Sequence, residues 1–506
     1  MLCYLLDFKT PVEMDLHSLV TVLLVILITS LIAKYAKLLI DRSKLPPGPT
    51  PLPIIGTIHK MNFNDIASSF LQLSKKYGDL FTVYEWDQPV IVVCGPKAIK
   101  DTLIDNPEEF TGRAYYPTVF DVTKGDDIAF SNGEKWKELR RFGMQTLSNF
   151  GFGKSSFEEK IREEGSYLID VLRKTNGSPI DPNHRIERAV SNVFCILMFG
   201  SRFDYNDEQF QKILKCVGEN FKLMSSCWGM LYNVCPSVMR HLPGPHRRIK
   251  ENFGTLAEYL KSRMESKMKT LDSNNPGDFI ESFLIKIEKE KKTNAAIFNT
   301  NTLVMTSASL FFGGSEAVTQ MLRFMLLYLM KYPRVAEKVY KEIDDVLGQR
   351  PPTYEDRHNM PYTVAFLNEV QRYADLIPMA IPHKLIMDTQ IRGYKIKKGT
   401  TFIPLLKSVN SDKTLFDNPE NFDLNHFIDE NGKLKKTDTW TPFSAGKRMC
   451  FGKSLAVVEI FIFTTMMLQS FKIKSPVPPE KISVTPVGVG FGHVPPNFEA
   501  CFLPRY

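Results

Sequence analysis

The stretch PFSAGKRMCFG, Pro442–Gly452, sets one cysteine between glycines and next to basic residues. The segment after it, KSLAVVEIFIFTTMMLQSF (Lys453–Phe471), reads as an apolar helix. A thiol at the head of a helix is pushed toward thiolate, and a metal pushes it further. Gly446 and Gly452 permit close approach of the backbone to a neighbouring group. Backbone N–H groups aimed at the sulfur would tune its electron donation. The other cysteines are Cys3, Cys94, Cys195, Cys216, Cys227, Cys235 and Cys501. They form no C-x-x-C pair and are spread too thinly for a disulfide framework, so they read as reduced, mostly buried thiols.

The rest of the composition is that of an ordinary globular protein. Of 506 residues, 43% are hydrophobic and 24% charged, which excludes a disordered or low-complexity body. The net charge of +8, from 64 Lys+Arg against 56 Asp+Glu, is a mild excess. It permits an acidic partner or an anionic membrane surface. Without a polybasic run or a zinc-finger pattern, a nucleic-acid partner is not expected.

Leu16 to Ala33 carries no charge, and apolar character continues past Lys34 and Lys37 to Ile40. A bilayer span needs about 20 apolar residues, and edge lysines can snorkel. Acidic residues dominate before it, and Lys34, Lys37, Arg42 and Lys44 follow, which places the body on the cytosolic side. A cleaved signal peptide fits less well, because the leading segment is not basic. Met14 makes an alternative start. LPPGPTPLPIIG, Leu45–Gly56, has five prolines and reads as a stiff spacer. The expected organisation is therefore 1–44 for extension and anchor, 45–56 for a proline-rich hinge, and 57–506 for one α-rich domain. Strand-like pieces fall at Leu80–Trp86 and Val90–Gly95. Ala295–Met330 has only two charges, Glu316 and Arg323, and reads as a long central helix buried in protein.

The pattern F-x-x-G-x-R-x-C-x-G, filled by Phe443, Gly446, Arg448, Cys450 and Gly452, resembles the haem-thiolate loop of cytochrome P450 enzymes. Three further segments match that family in order. FLNEVQRYADLIP holds Glu369 and Arg372 at E-x-x-R; PENFDLNHF follows with His426, and Leu424 stands where proline is usual; WKELRRF resembles W-x-x-x-R through Trp136 and Arg140. The phrasing SNGEKWKELRRF and GRAYYPTVFD is most similar to the microsomal family 2 enzymes.

The resemblance implies a mainly α fold with small β-sheets and an N-terminal transmembrane helix. It implies heme b (iron protoporphyrin IX) with Cys450 as axial thiolate, and a monooxygenase acting on a lipophilic substrate such as a xenobiotic, steroid or fatty acid. Arg448, Trp136, Arg140, His383 and Lys124 occupy positions that meet the haem propionates in the family. Glu369, Arg372 and His426 lock the region behind the haem. Position matching puts Phe120, Asp127, Phe312, Ile381 and Val489 near the substrate, with Asp127 hinting at a polar or basic substrate group. The chain has no G-x-G-x-x-G opening a helix after a strand. Electrons must therefore come from elsewhere, and the resemblance implies NADPH–cytochrome P450 reductase, with cytochrome b5 as a second donor, at an endoplasmic reticulum membrane.

FFGGSEAVTQ, Phe311–Gln320, matches the family's oxygen-activating segment through Gly313, Gly314, Ser315 and Glu316. The threonine position after the acid is Ala317, which can neither donate nor accept a hydrogen bond. Ser315 and Thr319 are two residues away and fall on the wrong face unless the glycines kink the helix. Weaker coupling of electrons to product is expected. The alternative is a haem-thiolate isomerase or peroxide-driven enzyme, or a haem-binding protein with little turnover.

Overall fold

The computed structural model describes residues 16–505 except 153, 154, 292, 294 and 295. The residues before the alternative start at Met14, 1–13, lie outside the described residues. The fold is mainly helical with small sheets. The helices that build the site are α1 (Leu16–Arg42), α2 (Pro117–Thr123), α3 (Gly133–Asn149), α4 (Ser155–Arg173), α5 (Asn183–Phe199), α6 (Glu208–Met224), α7 (Cys227–Val234), α8 (Arg247–Met268), α9 (Thr300–Lys331), α10 (Pro361–Ala374) and α11 (Lys453–Ser470). The strands that frame the site are β1 (Leu80–Glu85), β2 (Gln88–Cys94), β3 (Gly112–Arg113), β4 (His383–Lys384), β5 (Thr401–Leu405), β6 (Gly488–Val489) and β7 (His493–Val494).

α1 has no buried residue and is long and apolar enough to cross a membrane. The proline segment after it is not a free spacer. Thr82 donates its backbone N–H to Pro47 O (2.9 Å) and its hydroxyl to Pro46 O (2.8 Å). Gly48 lies so close that a Cβ there would meet Thr82 O at 1.9 Å. Prolines with no N–H to donate are suited to this edge of β1.

Five strands form one sheet in the order β1-β2-β5-β4-β3. β1 and β2 are an antiparallel hairpin, and β2 runs parallel to β5. At the far edge β3 pairs β4, opposing Arg113 to His383. That register fixes two polar side chains far apart in sequence as neighbours.

α9 is the central helix, packed by α5, α8, α10 and α11. Asn299 caps its first turn by accepting from Thr302 N (3.0 Å), while Thr302 Oγ1 accepts from Asn299 N. The helix is continuous through both glycines. Gly314 serves packing. A Cβ on Gly314 would meet the Phe194 ring of α5 at 2.8 Å, whereas one on Gly313 would meet nothing within 4 Å.

Candidate functional site

Cys450 sits three residues before the first residue of α11, and its N–H donates to Phe443 O (3.0 Å). The turn closes through Gly446, whose φ is +70°. Its close approach is to Leu103, whose carbonyl oxygen a Cβ would meet at 2.0 Å, so no other residue fits there. A Cβ on Gly452 would meet no protein atom within 4 Å. The N–H groups of Gly452 and Lys453 donate to the sulfur, as expected of a helix N-terminus. Burial still pushes the thiol above its usual range, against those bonds and the Arg140 charge. The same cysteine is nonetheless exposed. A group desolvated by surrounding protein yet open at its surface faces an interior gap.

A second open surface runs along α9. Gly313 is exposed and Ser309, Phe312, Gly314 and Ala317 partly so, on a helix whose other residues from Ser309 to Gln320 are buried. Residues 309, 313 and 317 recur every fourth position and share one face. Ser315 (0% exposed), Glu316 (1%) and Thr319 (1%) are turned into protein. Thr319 Oγ1 donates to Ser315 O (2.7 Å). Neither hydroxyl replaces the one missing at Ala317. Glu316 is turned toward α5 and α6, accepting from Gln320 Nε2 (2.9 Å).

The groups expected near the propionates converge. Arg448 donates from Nε to Thr111 O and from Nη2 to Ser131 O (2.7 Å each), and stacks 3.9 Å from the Trp136 ring centroid. Arg140 donates to Met449 O (2.8 Å). His383 donates from Nδ1 to Phe110 O (2.6 Å). Arg113, not singled out in the sequence, joins them, donating to Ile381 O (2.9 Å) and Ala129 O (3.3 Å). Its signal was its place in GRAYYPTVFD, but only the β3–β4 register reveals the pairing with His383.

This cradle is rich in cations and short of anions. Burial, then the Arg140 charge, lowers Arg113 to about 9; burial, then Arg113 and Arg140, lowers Arg448 to about 8. His383 is held well below its usual range by burial and by Arg113. Asp127 is the carboxylate that offsets both Arg113 and Arg448. Trp136 Nε1 and His383 Nε2 are buried without partners. Buried polar atoms and clustered like charges need compensation. The two propionates of a haem supply carboxylates of that kind, so the residues present fit the group. Lys124 stands apart, exposed at the end of α2 in a left-handed conformation (φ 54°).

Behind the cysteine loop, Glu369 and Arg372 of α10 pair in two bonds, Nε to Oε2 (2.7 Å) and Nη2 to Oε1 (2.6 Å). Both are buried, and His426 Nδ1 lies 3.2 Å from each Glu369 oxygen. Leu424, in place of proline, starts a 3-10 turn that Asp423 caps by accepting from Asn425 N.

Of the residues placed near substrate, Phe312 and Ile381 pack against an apolar cluster with Tyr116, Met224 and Phe253. Phe120 lies against Tyr115, ring centroids 5.2 Å apart, and Val489 N donates to Ser225 O (3.1 Å). Asp127 is fully buried, and its Oδ1 accepts from Ala129 N (2.7 Å) and Phe130 N (2.9 Å). It braces a turn and counters two arginines.

Residues 46–502 match the family model described as Cytochrome P450. The chain is similar to Cytochrome P450 2F2 of Mus musculus, 48% identical over 91% of this chain and 94% of that protein. It is 46% identical to Cytochrome P450 2F1 of Homo sapiens over 92% of this chain and 95% of that protein. Cytochrome P450 2G1 of Rattus norvegicus is 44% identical over 91% of this chain and 94% of its own length.

Proposed function

The chain belongs to the cytochrome P450 family, as a family 2 haem-thiolate monooxygenase, and from that premise we propose its substrate class, electron donor and location. The substrate is a small lipophilic molecule: a xenobiotic, steroid or fatty acid. The apolar cluster around Phe312 and Ile381, beside the open face of α9, supports this reading. Cys450, with open surface and two amides on its sulfur, is the observation that carries it.

When bound, the haem supplies activation of dioxygen, one atom going to substrate and the other to water. The chain's own residues would hold it. Cys450 would ligate the iron, and Trp136, Arg140, Arg448, His383 and Arg113 would hold the propionates. Phe443 and Gly446 would fix the cysteine turn.

Reducing equivalents would come from NADPH–cytochrome P450 reductase, with cytochrome b5 as a second donor. Lys137, Arg141, Lys447 and Lys453 offer a basic face. Three of these pair locally, with Glu134, Glu138 and Glu108, while Lys453 makes no ion pair among the described residues and could meet an acidic partner. The unburied α1 would anchor the protein in the endoplasmic reticulum membrane, with the body in the cytosol. Residues 1–44, 45–56 and 57–506 would then act as anchor, docked hinge and catalytic domain.

The ferrous–CO spectrum of the purified protein tests the ligand, and a red-shifted Soret band is expected. Oxygenation of a lipophilic probe should require both NADPH and reductase. Turnover with a hydroperoxide alone, and none with reductase, would instead favour the peroxide-driven alternative.

A further inference from the structure

Alternation along β1 puts Phe81, Val83 and Glu85 on one face. Phe81 and Val83 lie in an apolar cluster with Met230 of α7. Glu85 continues that face where the pattern calls for an apolar residue. Among the described residues its carboxylate makes no side-chain hydrogen bond and no ion pair. Burial alone pushes it up to about 7, with no neighbouring cation to offset the cost. It still keeps open surface. That partly open carboxylate lies on the face of β1 that Phe81 and Val83 turn into protein. An uncompensated carboxylate in such a place destabilises the fold unless something pairs with it.

Its surroundings lead inward. The charge of Glu85 acts on Tyr116 and on Cys235, just after α7. Tyr116 starts an aromatic path to α9: Tyr116–Phe491 and Phe491–Phe312 have ring centroids 6.2 and 6.1 Å apart. Phe312 is next to Gly313 on the open face of that helix.

We propose that Glu85 is a substrate-recognition residue, pairing with the ammonium group of a lipophilic amine whose apolar part lies along Tyr116, Phe491 and Phe312. The aromatic faces add attraction for the cation and burial for the hydrocarbon. The proposal rests on the monooxygenase reading and narrows its substrate class.

The test uses ferric holoenzyme and calorimetric binding of two probes, (4-phenylbutyl)trimethylammonium and its neutral tert-butyl isostere. A quaternary cation neither titrates nor ligates iron. Wild type should bind the cation at least about tenfold more tightly than the isostere at about pH 8.5, as expected for a desolvated charge pair. Lowering the pH to about 6 protonates Glu85 and should abolish that preference, leaving the isostere unaffected. Burial pushes both Tyr116 and Cys235 up, so neither gains a positive charge as the pH falls. Glu85→Gln should abolish the preference at both pH values while retaining the CO spectrum. Equal affinities in wild type, or a preference that survives at low pH or in Glu85→Gln, would overturn the proposal. Those outcomes leave the oxygenase assignment standing, since reductase-driven turnover and the CO spectrum test it separately.

Discussion

Glu187 of α5 and Glu316 of α9 bring two buried carboxyls together beside Gly218 of α6. A Cβ on Gly218 would lie 3.1 Å from Glu187 Oε1 and 3.3 Å from Glu316 Oε1. A larger residue there would press on both carboxylates. Glu316 is raised to about 8, by burial first and by the Glu187 charge second. Glu187 reaches the surface through His184 Nδ1 (3.0 Å). The acid of the α9 motif thus belongs to a polar network behind the helix, away from the open face.

That pairing predicts a pH-dependent stability. The folded pKa of Glu316 lies above its unfolded value, so the native state binds the extra proton between about 4.5 and 8. Stability should fall as pH rises through that window, by about 1 kcal/mol per unit. Glu316→Gln keeps the shape and removes the charge. Its denaturation midpoint should exceed that of wild type at about pH 8.5 and match it at about pH 5. Parallel pH profiles for the two proteins would show that Glu316 is not the titrating group.

Ala317→Thr should improve coupling. Position 317 lies on the open face of α9 with Gly313, and neither Ser315 nor Thr319 reaches that face. A threonine hydroxyl there would donate and accept toward water in the gap. Product per NADPH should rise severalfold and peroxide release should fall. An unchanged ratio would mean that water or substrate already supplies the hydrogen bonds.

Local patterns showed much of this in the sequence. The cysteine loop, the E-x-x-R pair and the central helix each lie within one segment, where spacing fixes which side chains meet. Long-range placement was not legible. Arg113 meets His383 through β3–β4 pairing across the chain, and Asp127 meets its arginines only after folding. The proline segment read as a spacer because its docking depends on β1. The reason for the paired glycines was not legible either: Phe194 of α5 explains Gly314, and Gly313 lies on the open face of α9. Sequence shows that glycine is present, but not which neighbour needs the space.

The arginine cradle predicts haem retention. Arg448→Lys keeps the charge and loses the two short bonds to Thr111 and Ser131 and the stack on Trp136. Haem transfer to apomyoglobin should accelerate by about tenfold, the scale of a lost supporting contact at a metal site. Arg113→Gln should act in the same direction with the carbonyl bonds to Ile381 and Ala129 weakened. Transfer rates equal to wild type in both variants would rule out the cradle as the propionate site.

Arg372→Lys should be among the most destabilising single changes in the chain. The Arg372 guanidinium holds Glu369 in two bonds and donates as well to the carbonyls of Asn410 (2.9 Å), Pro419 (2.7 Å) and Asn421 (2.8 Å). An ammonium group cannot span that set. Glu369 would then keep a buried charge with weakened compensation, a loss of about 3–5 kcal/mol. The loss spreads to the turn at Leu424, because Asp423 N donates to Glu369 (2.8 Å) and His426 leans on the same carboxylate. Glu369→Gln should cost a similar amount by stranding Arg372. Guanidinium denaturation of the ferric protein, followed at the Soret band, measures both. If either variant unfolds at the wild-type midpoint, this network is not what holds the segment behind the cysteine loop.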